Sequence, residues 1–199
     1  MKYILIHGLK GHGKSTLANM IYTELSNLDY RVAQFILADP AREMLSKLFD
    51  LDSSQFESEE FKNTPHADLY NQTPRKVMQT FATDFAQNCF GKTFWCKKLE
   101  ENVSSYIGDI DFVIIPDIRF LHELNYFSEK SLSTIFMNRE GVEKDEANNH
   151  ISEAGLLHMY EESNHDHIRL EFPEDSTLEG TQEFVREVLI DMILEGRNV

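Results

Sequence analysis

Near the start of the chain, Gly8-Leu9-Lys10-Gly11-His12-Gly13-Lys14-Ser15 fills every fixed position of the pattern G-x-x-x-x-G-K-[ST]. The spacing has a chemical reason. Glycines let the backbone curl so that successive N–H groups point at one anion, and a helix beginning at Lys14 adds the positive end of its dipole. Lys14 would reach the β- and γ-phosphates of a triphosphate, and the Ser15 hydroxyl would ligate Mg²⁺. The loop follows the apolar run Tyr3–His7 and precedes a helical pattern that starts at Thr16. A glycine turn with no ligand is the competing reading, and the strand-loop-helix context weighs against it.

A second candidate is Phe112-Val113-Ile114-Ile115-Pro116-Asp117. Four apolar residues read as a buried strand with a carboxylate at its C-terminal end, the edge of an α/β sheet where ligands bind. Asp117 there would orient a magnesium shell. Pro116 is acceptable because the ladder is ending. Arg119 adds a cation beside it and favours a phosphate-handling edge, although an aspartate in an ordinary turn would look the same.

Anion-binding residue types recur farther along. Asp39-Pro40-Ala41-Arg42 has the grammar of a helix start, with Asp39 as N-cap and Pro40 at the first helical position. Capping alone would explain Asp39; the functional alternative turns Asp39 and Arg42 toward a second substrate. Thr73-Pro74-Arg75-Lys76 repeats the pattern but puts two cations in the first turn, against the helix dipole. A bound anion would resolve that conflict. Gln79, Thr83 and Asp84 follow at about one-turn spacing. They would line a cleft and read a base edge, or form a solvent face. Trp95 is core or a pocket wall. Arg139 opens a polar stretch to His150 that reads as a lid closing over a transferring phosphoryl group, with a solvated arginine as the alternative. His158, His165 and His167 lack metal-site spacing and read as surface histidines.

These residues need elements to hold them. Short apolar runs at Tyr3–His7, Val32–Leu37, Phe112–Ile115, Ser133–Met137 and His167–Phe172 read as strands. Between them lie amphipathic stretches at Ser15–Leu25, Ala41–Leu48, Pro74–Asn88, Phe94–Ile107, Ser152–Tyr160 and Thr181–Leu194. Such alternation predicts an α/β fold, a five-stranded parallel sheet flanked by helices. Asp50–Phe61 holds five acidic residues and no basic one, and reads as an exposed insertion rather than sheet. The C-terminal stripe Phe184, Val188, Leu189, Met192 and Ile193 would pack on the sheet or on a second subunit, so a homodimer is one of two readings. Cys89 and Cys96 read as buried or half-buried thiols sharing a helix face.

The chain has 199 residues, with 34 acidic side chains against 19 basic ones and a net charge of −15. One compact domain accommodates that length. A surface this acidic repels phosphate backbones and anionic membranes, which argues against a non-specific nucleic-acid binder. The longest apolar runs are too short to span a bilayer, and no signal peptide is visible, so the expected location is the cytosol.

Taken together, these segments resemble the deoxynucleoside monophosphate kinase family known mainly from bacteriophages. The matching stretches are residues 8–16, 38–42 and 73–84, Trp95, the run from Asp117 to Glu123, and His150-Ile151-Ser152-Glu153. They fall in the family's order across most of residues 3–160. The resemblance implies a P-loop kinase fold over residues 1–199, with an acceptor-binding helical region at about 50–108 and a lid at about 139–152. It implies transfer of the ATP γ-phosphoryl group to a deoxynucleoside 5′-monophosphate with Mg²⁺, in the host cytoplasm for a phage protein. Its partners would then be small-molecule nucleotides, with no nucleic acid and no membrane. By the same resemblance Lys14, Arg119 and Arg139 would act on the transferring group, and Gly8, Lys10, Gly11, His12, Gly13, Lys14, Ser15 and Thr16 would surround ATP. Asp39, Arg42, Arg75, Gln79, Thr83, Asp84 and Trp95 would surround the acceptor, and Ser15 and Asp117 would take the metal. The position of Phe172-Pro173 in such a fold suggests the adenine site. The chain departs from the family at Arg42, usually lysine, at Ala82, usually glycine, and at Gln87, usually an arginine that would contact phosphate. Two other activities compete: a kinase for an alcohol acceptor with Asp39 as base, and a nucleotide-binding switch, although the Asn-Lys-x-Asp base-reading motif of GTPases is absent.

Overall fold

The computed structural model describes residues 1–106, 110–141 and 167–196. They group into two compact units, one of Met1–Ile36 with Asn102–Val199, the other of Leu37–Glu101.

The first unit carries the sheet. Strand β1 (Lys2–His7) leads through the glycine loop into helix α1 (Lys14–Asn27), which returns to β2 (Val32–Gln34). In the second unit lie α2 (Asp39–Phe49), a 3₁₀ turn at Ser53–Glu57, α3 (Glu59–Asn63) and a 3₁₀ turn at Ala67–Leu69. There α4 (Pro74–Gln79) runs through a π-helical turn (Thr80–Phe85) into α5 (Ala86–Phe90). Helix α6 (Phe94–Ser105) leads the chain back to the first unit. That unit continues with β3 (Phe112–Ile118), α7 (Leu121–Ser128), β4 (Ser131–Arg139) and β5 (Ile168–Phe172). It ends with α8 (Leu178–Phe184), a π-helical turn (Val185–Leu189) and α9 (Ile190–Glu195).

The predicted α/β class is observed. The five strands are all parallel, in the order β2-β3-β1-β4-β5, so β1 sits at the centre with β3 and β4 on its two sides. Alternate residues of the central strands face opposite sides, and both sides are covered. On one side Ile4, Ile6, Ile114, Ile135 and Met137 pack with Leu17 and Ile21 of α1 and with Val185, Leu189 and Ile193 near the C-terminus. On the other, Tyr3 meets Phe127 of α7 with ring centroids 5.3 Å apart. Each fully buried aliphatic side chain contributes about 1.5–3 kcal/mol, which makes the base of the glycine loop a rigid platform. The C-terminal stripe therefore covers the sheet of its own chain, with Val188 alone of the five on the exposed side.

Several boundaries differ from the sequence reading. Strand β3 runs two residues past Pro116. Leu5 of β1 pairs with Ile115 and His7 with Ile118, so one residue of β1 faces two of β3. The missing N–H of Pro116 is absorbed by this bulge, and Asp117 sits on it. Cys89 is exposed on α5 and Cys96 buried on α6, separated by Gly91 at φ +96°, so they do not share a helix face. His167 is buried, not on the surface. The helix expected at Ser152–Tyr160, the lid beyond residue 141, and His158 and His165 lie outside the described residues. Among those described, no helix is long and apolar enough to cross a membrane.

Candidate functional site

The glycine loop leaves the C-terminal end of the central strand, where strand order reverses and α/β folds bind ligands. Gly8, Gly11 and Gly13 have φ of +148°, +83° and +94°. Gly8 also needs the space, because a Cβ there would stand 2.2 Å from the Met137 carbonyl oxygen. Helix α1 opens directly after Gly13 with no side-chain cap, so its first N–H groups have no capping side chain. Ser15 and Thr16 are exposed on that first turn. Lys14 Nζ donates to the carbonyl oxygens of Gly8 and Leu9, both at 2.7 Å, which folds the ammonium across the loop. Lys10 and Gly11 lie in the turn between the flanking glycines.

His12, expected around ATP, has its imidazole buried. Its side chain is 3% exposed, and its Nδ1 accepts the backbone N–H of Arg139 at 3.0 Å. The imidazole thus ties the loop to the end of β4. Arg139 itself is half-buried, with its guanidinium 5.8 Å from the centroid of the Phe172 ring. Phe172 in turn lines a cavity of about 450 Å³ with Thr177, Gly180 and Phe184. A second cavity, about 670 Å³, runs from Thr16 and Met20 of α1 to Gln182 and Arg186.

Beside the loop, β3 delivers Asp117 and Arg119, both half-buried. A residue without a role in the sequence reading organises this edge. Glu123 is buried, and its Oε2 accepts the backbone N–H groups of Arg119 at 2.8 Å and Phe120 at 3.1 Å. Burial first, and the charge of Asp117 second, push its carboxyl up to about 7. Glu123 is the third residue of α7 and caps the Phe120 N–H from there, but Phe120 has no oxygen to return the bond, so the Ser/Thr-x-x-Glu signal of a capping box is missing from the sequence. On β1, His7 is fully buried and its Nε2 lies 3.2 Å from His167 Nδ1. Burial, then the charges of His167 and Lys14, lower its pKa to about 3, so it is neutral. Nothing in a strand ending on histidine signals this pair.

In the helical unit the expected acceptor residues are arranged by one another. Asp39 is not an N-cap. Ala38 holds that position without a side-chain bond, and Asp39 is the first helical residue. Its Oδ1 instead accepts from Arg42 Nη1 at 2.6 Å, because a residue one turn on the same helix face competes for the carboxylate. Thr73 does cap α4, accepting the Lys76 N–H at 3.2 Å. Arg75, in the first turn, donates from Nη2 to Glu59 Oε2 at 2.7 Å and from Nε to Asn63 Oδ1 at 2.8 Å. The dipole conflict read in the sequence is met by a carboxylate of the acidic segment. Gln79 ends α4, and Thr83 and Asp84 lie in the π-helical turn, a feature that often marks functional positions. Trp95 is 5% exposed, packed on Phe94, and donates its Nε1–H to Ala82 O in that turn at 2.7 Å. Its N–H is spent on shaping the helix that carries Gln79 and Thr83.

Comparison with known proteins shows the family of the chain. The family model described as deoxynucleotide monophosphate kinase matches residues 49–171. A deoxynucleotide monophosphate kinase of Escherichia phage RB69 is 35% identical over 83 residues, 41% of this chain and 33% of its own length. That of Enterobacteria phage T4 is 30% identical over 83 residues, 41% of this chain and 34% of its own. The alignments thus span about a third of these phage relatives. A relative from Acanthamoeba polyphaga mimivirus is 27% identical over 168 residues, 78% of this chain and 82% of its own.

Proposed function

The chain belongs to the deoxynucleotide monophosphate kinase family, and we propose that it transfers the γ-phosphoryl group of ATP to a deoxynucleoside 5′-monophosphate. The observation that carries this reading is the glycine loop on the central strand, with its positive-φ glycines, uncapped helix start and Lys14. It is built for a polyphosphate. The arginines of the helical unit are built for a second anion.

In the reaction an oxygen of the acceptor phosphate attacks the γ-phosphorus. The bond from that phosphorus to the β–γ bridging oxygen breaks, and ADP leaves with the electron pair. The attacking oxygen is already ionised at neutral pH, so no strong base is needed, and catalysis consists of positioning and charge neutralisation. Loop N–H groups and Lys14 hold the β- and γ-phosphates. Arg119 and Arg139 face the charge that spreads over the transferring group. Arg42 and Arg75 hold the acceptor phosphate, while Gln79, Thr83 and Asp84 meet its nucleoside. Ser15 and Asp117 are hard oxygen donors on accessible positions, the type Mg²⁺ takes. They would hold Mg²⁺, which when bound neutralises charge on the β- and γ-phosphate oxygens.

The alcohol-acceptor alternative needs Asp39 as a base. Its bond to Arg42 favours a different role, orienting that cation toward an anion. Coupled ADP release, measured with a panel of deoxy- and ribonucleoside monophosphates and free nucleosides, tests the reading. The expected result is release that depends on deoxynucleoside monophosphates and not on nucleosides. Asp39→Asn should raise the acceptor KM about tenfold and leave kcat within about threefold. A flat response to every monophosphate, or a collapse of kcat in Asp39→Asn with release driven by a nucleoside, overturns it.

A further inference from the structure

Residues 50–72 form the acidic stretch for which no motif suggests a role, and they reach Arg75. Glu59 and Asn63 lie four residues apart on α3, so they share a face. That face takes the Arg75 fork at two points: Nη2 on Glu59 Oε2 at 2.7 Å, Nε on Asn63 Oδ1 at 2.8 Å. The other oxygen of Glu59 holds Lys62 Nζ at 2.5 Å, which steadies the carboxylate. The Arg75 side chain is 15% exposed, that of Glu59 58%. Helix α3 is itself anchored: the Phe61 ring meets Phe56 edge-to-face, centroids 5.6 Å apart, and lies 4.3 Å from the His66 ring, and Phe56 is buried.

We propose that Glu59 and Asn63 are positioning residues that aim Arg75 at the phosphate of the monophosphate acceptor. The inference rests on the function proposed above. Arg75 sits in the first turn of α4, where the helix dipole pushes a cation away. An arginine left alone there would sweep through solvent. The α3 clamp fixes the guanidinium plane, and a guanidinium has more N–H donors than the clamp uses, so an edge remains for a phosphate. A half-exposed ion pair adds little to stability, so the clamp's effect lies in orientation.

The test is acceptor-dependent ADP release by the full chain, wild type against Glu59→Gln, Asn63→Ala and each of these combined with Arg75→Ala. Glu59→Gln keeps the shape and removes the charge. The acceptor KM should rise about tenfold, with kcat, the ATP KM and the melting temperature nearly unchanged. Asn63→Ala should raise it about threefold. In the Arg75→Ala background neither change should add more than about twofold, because the residue they act through is gone. An unchanged or lowered acceptor KM in both single variants overturns the proposal. So does an equal loss with and without Arg75, or a loss that tracks a lower melting temperature. Wild-type release that ignores all monophosphates would overturn the function and this inference together; wild-type dependence with unaltered variants would overturn the inference alone.

Discussion

In the function we propose, the sheet unit and the helical unit would hold their anions by different means. In the first, the binding groups are backbone N–H groups and one lysine, set by glycines wedged against Met137 and by an imidazole buried between loop and strand. In the second they are arginine side chains, each held by a carboxylate of its own neighbourhood: Arg42 by Asp39, Arg75 by Glu59. A backbone cradle needs fixed residue types at fixed spacing. A side-chain clamp needs only a carboxylate within reach, one turn away on the same helix or on a packed neighbour, and many sequences satisfy that. The difference also divides consequences. Changes in the cradle should reach chemistry or fold, depending on the residue; changes in the clamp should reach acceptor affinity and little else.

The sharpest test of that division is Lys14→Ala, which removes the ammonium that donates to the Gly8 and Leu9 carbonyls. We expect kcat to fall about 10²–10³-fold with the fold intact, measured by ADP release and thermal melting. A loss under about fivefold would erase the contrast between the units.

The next effect is on stability and pH. The Glu123 carboxyl, raised to about 7 from its ordinary 4.5, binds its proton more tightly in the folded state. Its contribution is full below about 4.5 and is lost as pH rises through 7. The His7 imidazole, lowered to about 3 from 6.5, contributes fully above 6.5 and loses that contribution as pH falls. Between 4.5 and 6.5 the two slopes oppose, so wild-type stability should be nearly flat there. Glu123→Gln keeps an acceptor for both N–H groups and removes one slope. Its urea-unfolding stability should climb with pH across that window, and exceed that of wild type by a few kcal/mol, roughly, at pH 8. A variant profile parallel to wild type would show that the burial of Glu123 does not set it.

His12 separates shape from hydrogen bonding in the cradle. Asparagine places an oxygen near the Nδ1 position; phenylalanine fills the volume and accepts nothing. His12→Phe should cost about 1–3 kcal/mol in melts and weaken ATP binding, because the Arg139 N–H loses its partner, while His12→Asn should recover most of both. Equal behaviour of the two variants would reduce His12 to a filler. The smallest expected effect is in the clamp: Arg42→Ala should raise the acceptor KM about tenfold and leave the ATP KM and melting temperature alone. A matching rise in the ATP KM would blur the assignment of the helical unit to the acceptor.

What could be read in the sequence follows the same line. The loop was legible because its geometry is local, and the α/β class because strand and helix periods differ. From the sequence alone Pro116 reads as a strand end, since a bulge that absorbs a missing N–H depends on the register with β1. Asp39 looked like a cap because caps and first-turn acids share a residue type, and only the reach of Arg42 decides between them. The Glu59–Arg75 pair spans 16 residues between two short helices, and no period links them. His167 passed for a surface residue because its partner, His7, is 160 residues away.

One measurement reaches the central claim directly: ³¹P NMR of the protein with ATP, Mg²⁺ and a deoxynucleoside monophosphate. The account predicts that the monophosphate singlet fades while two doublets, those of a deoxynucleoside diphosphate, grow in step with ADP. ATP falling to ADP and inorganic phosphate beside an undiminished monophosphate singlet would contradict it.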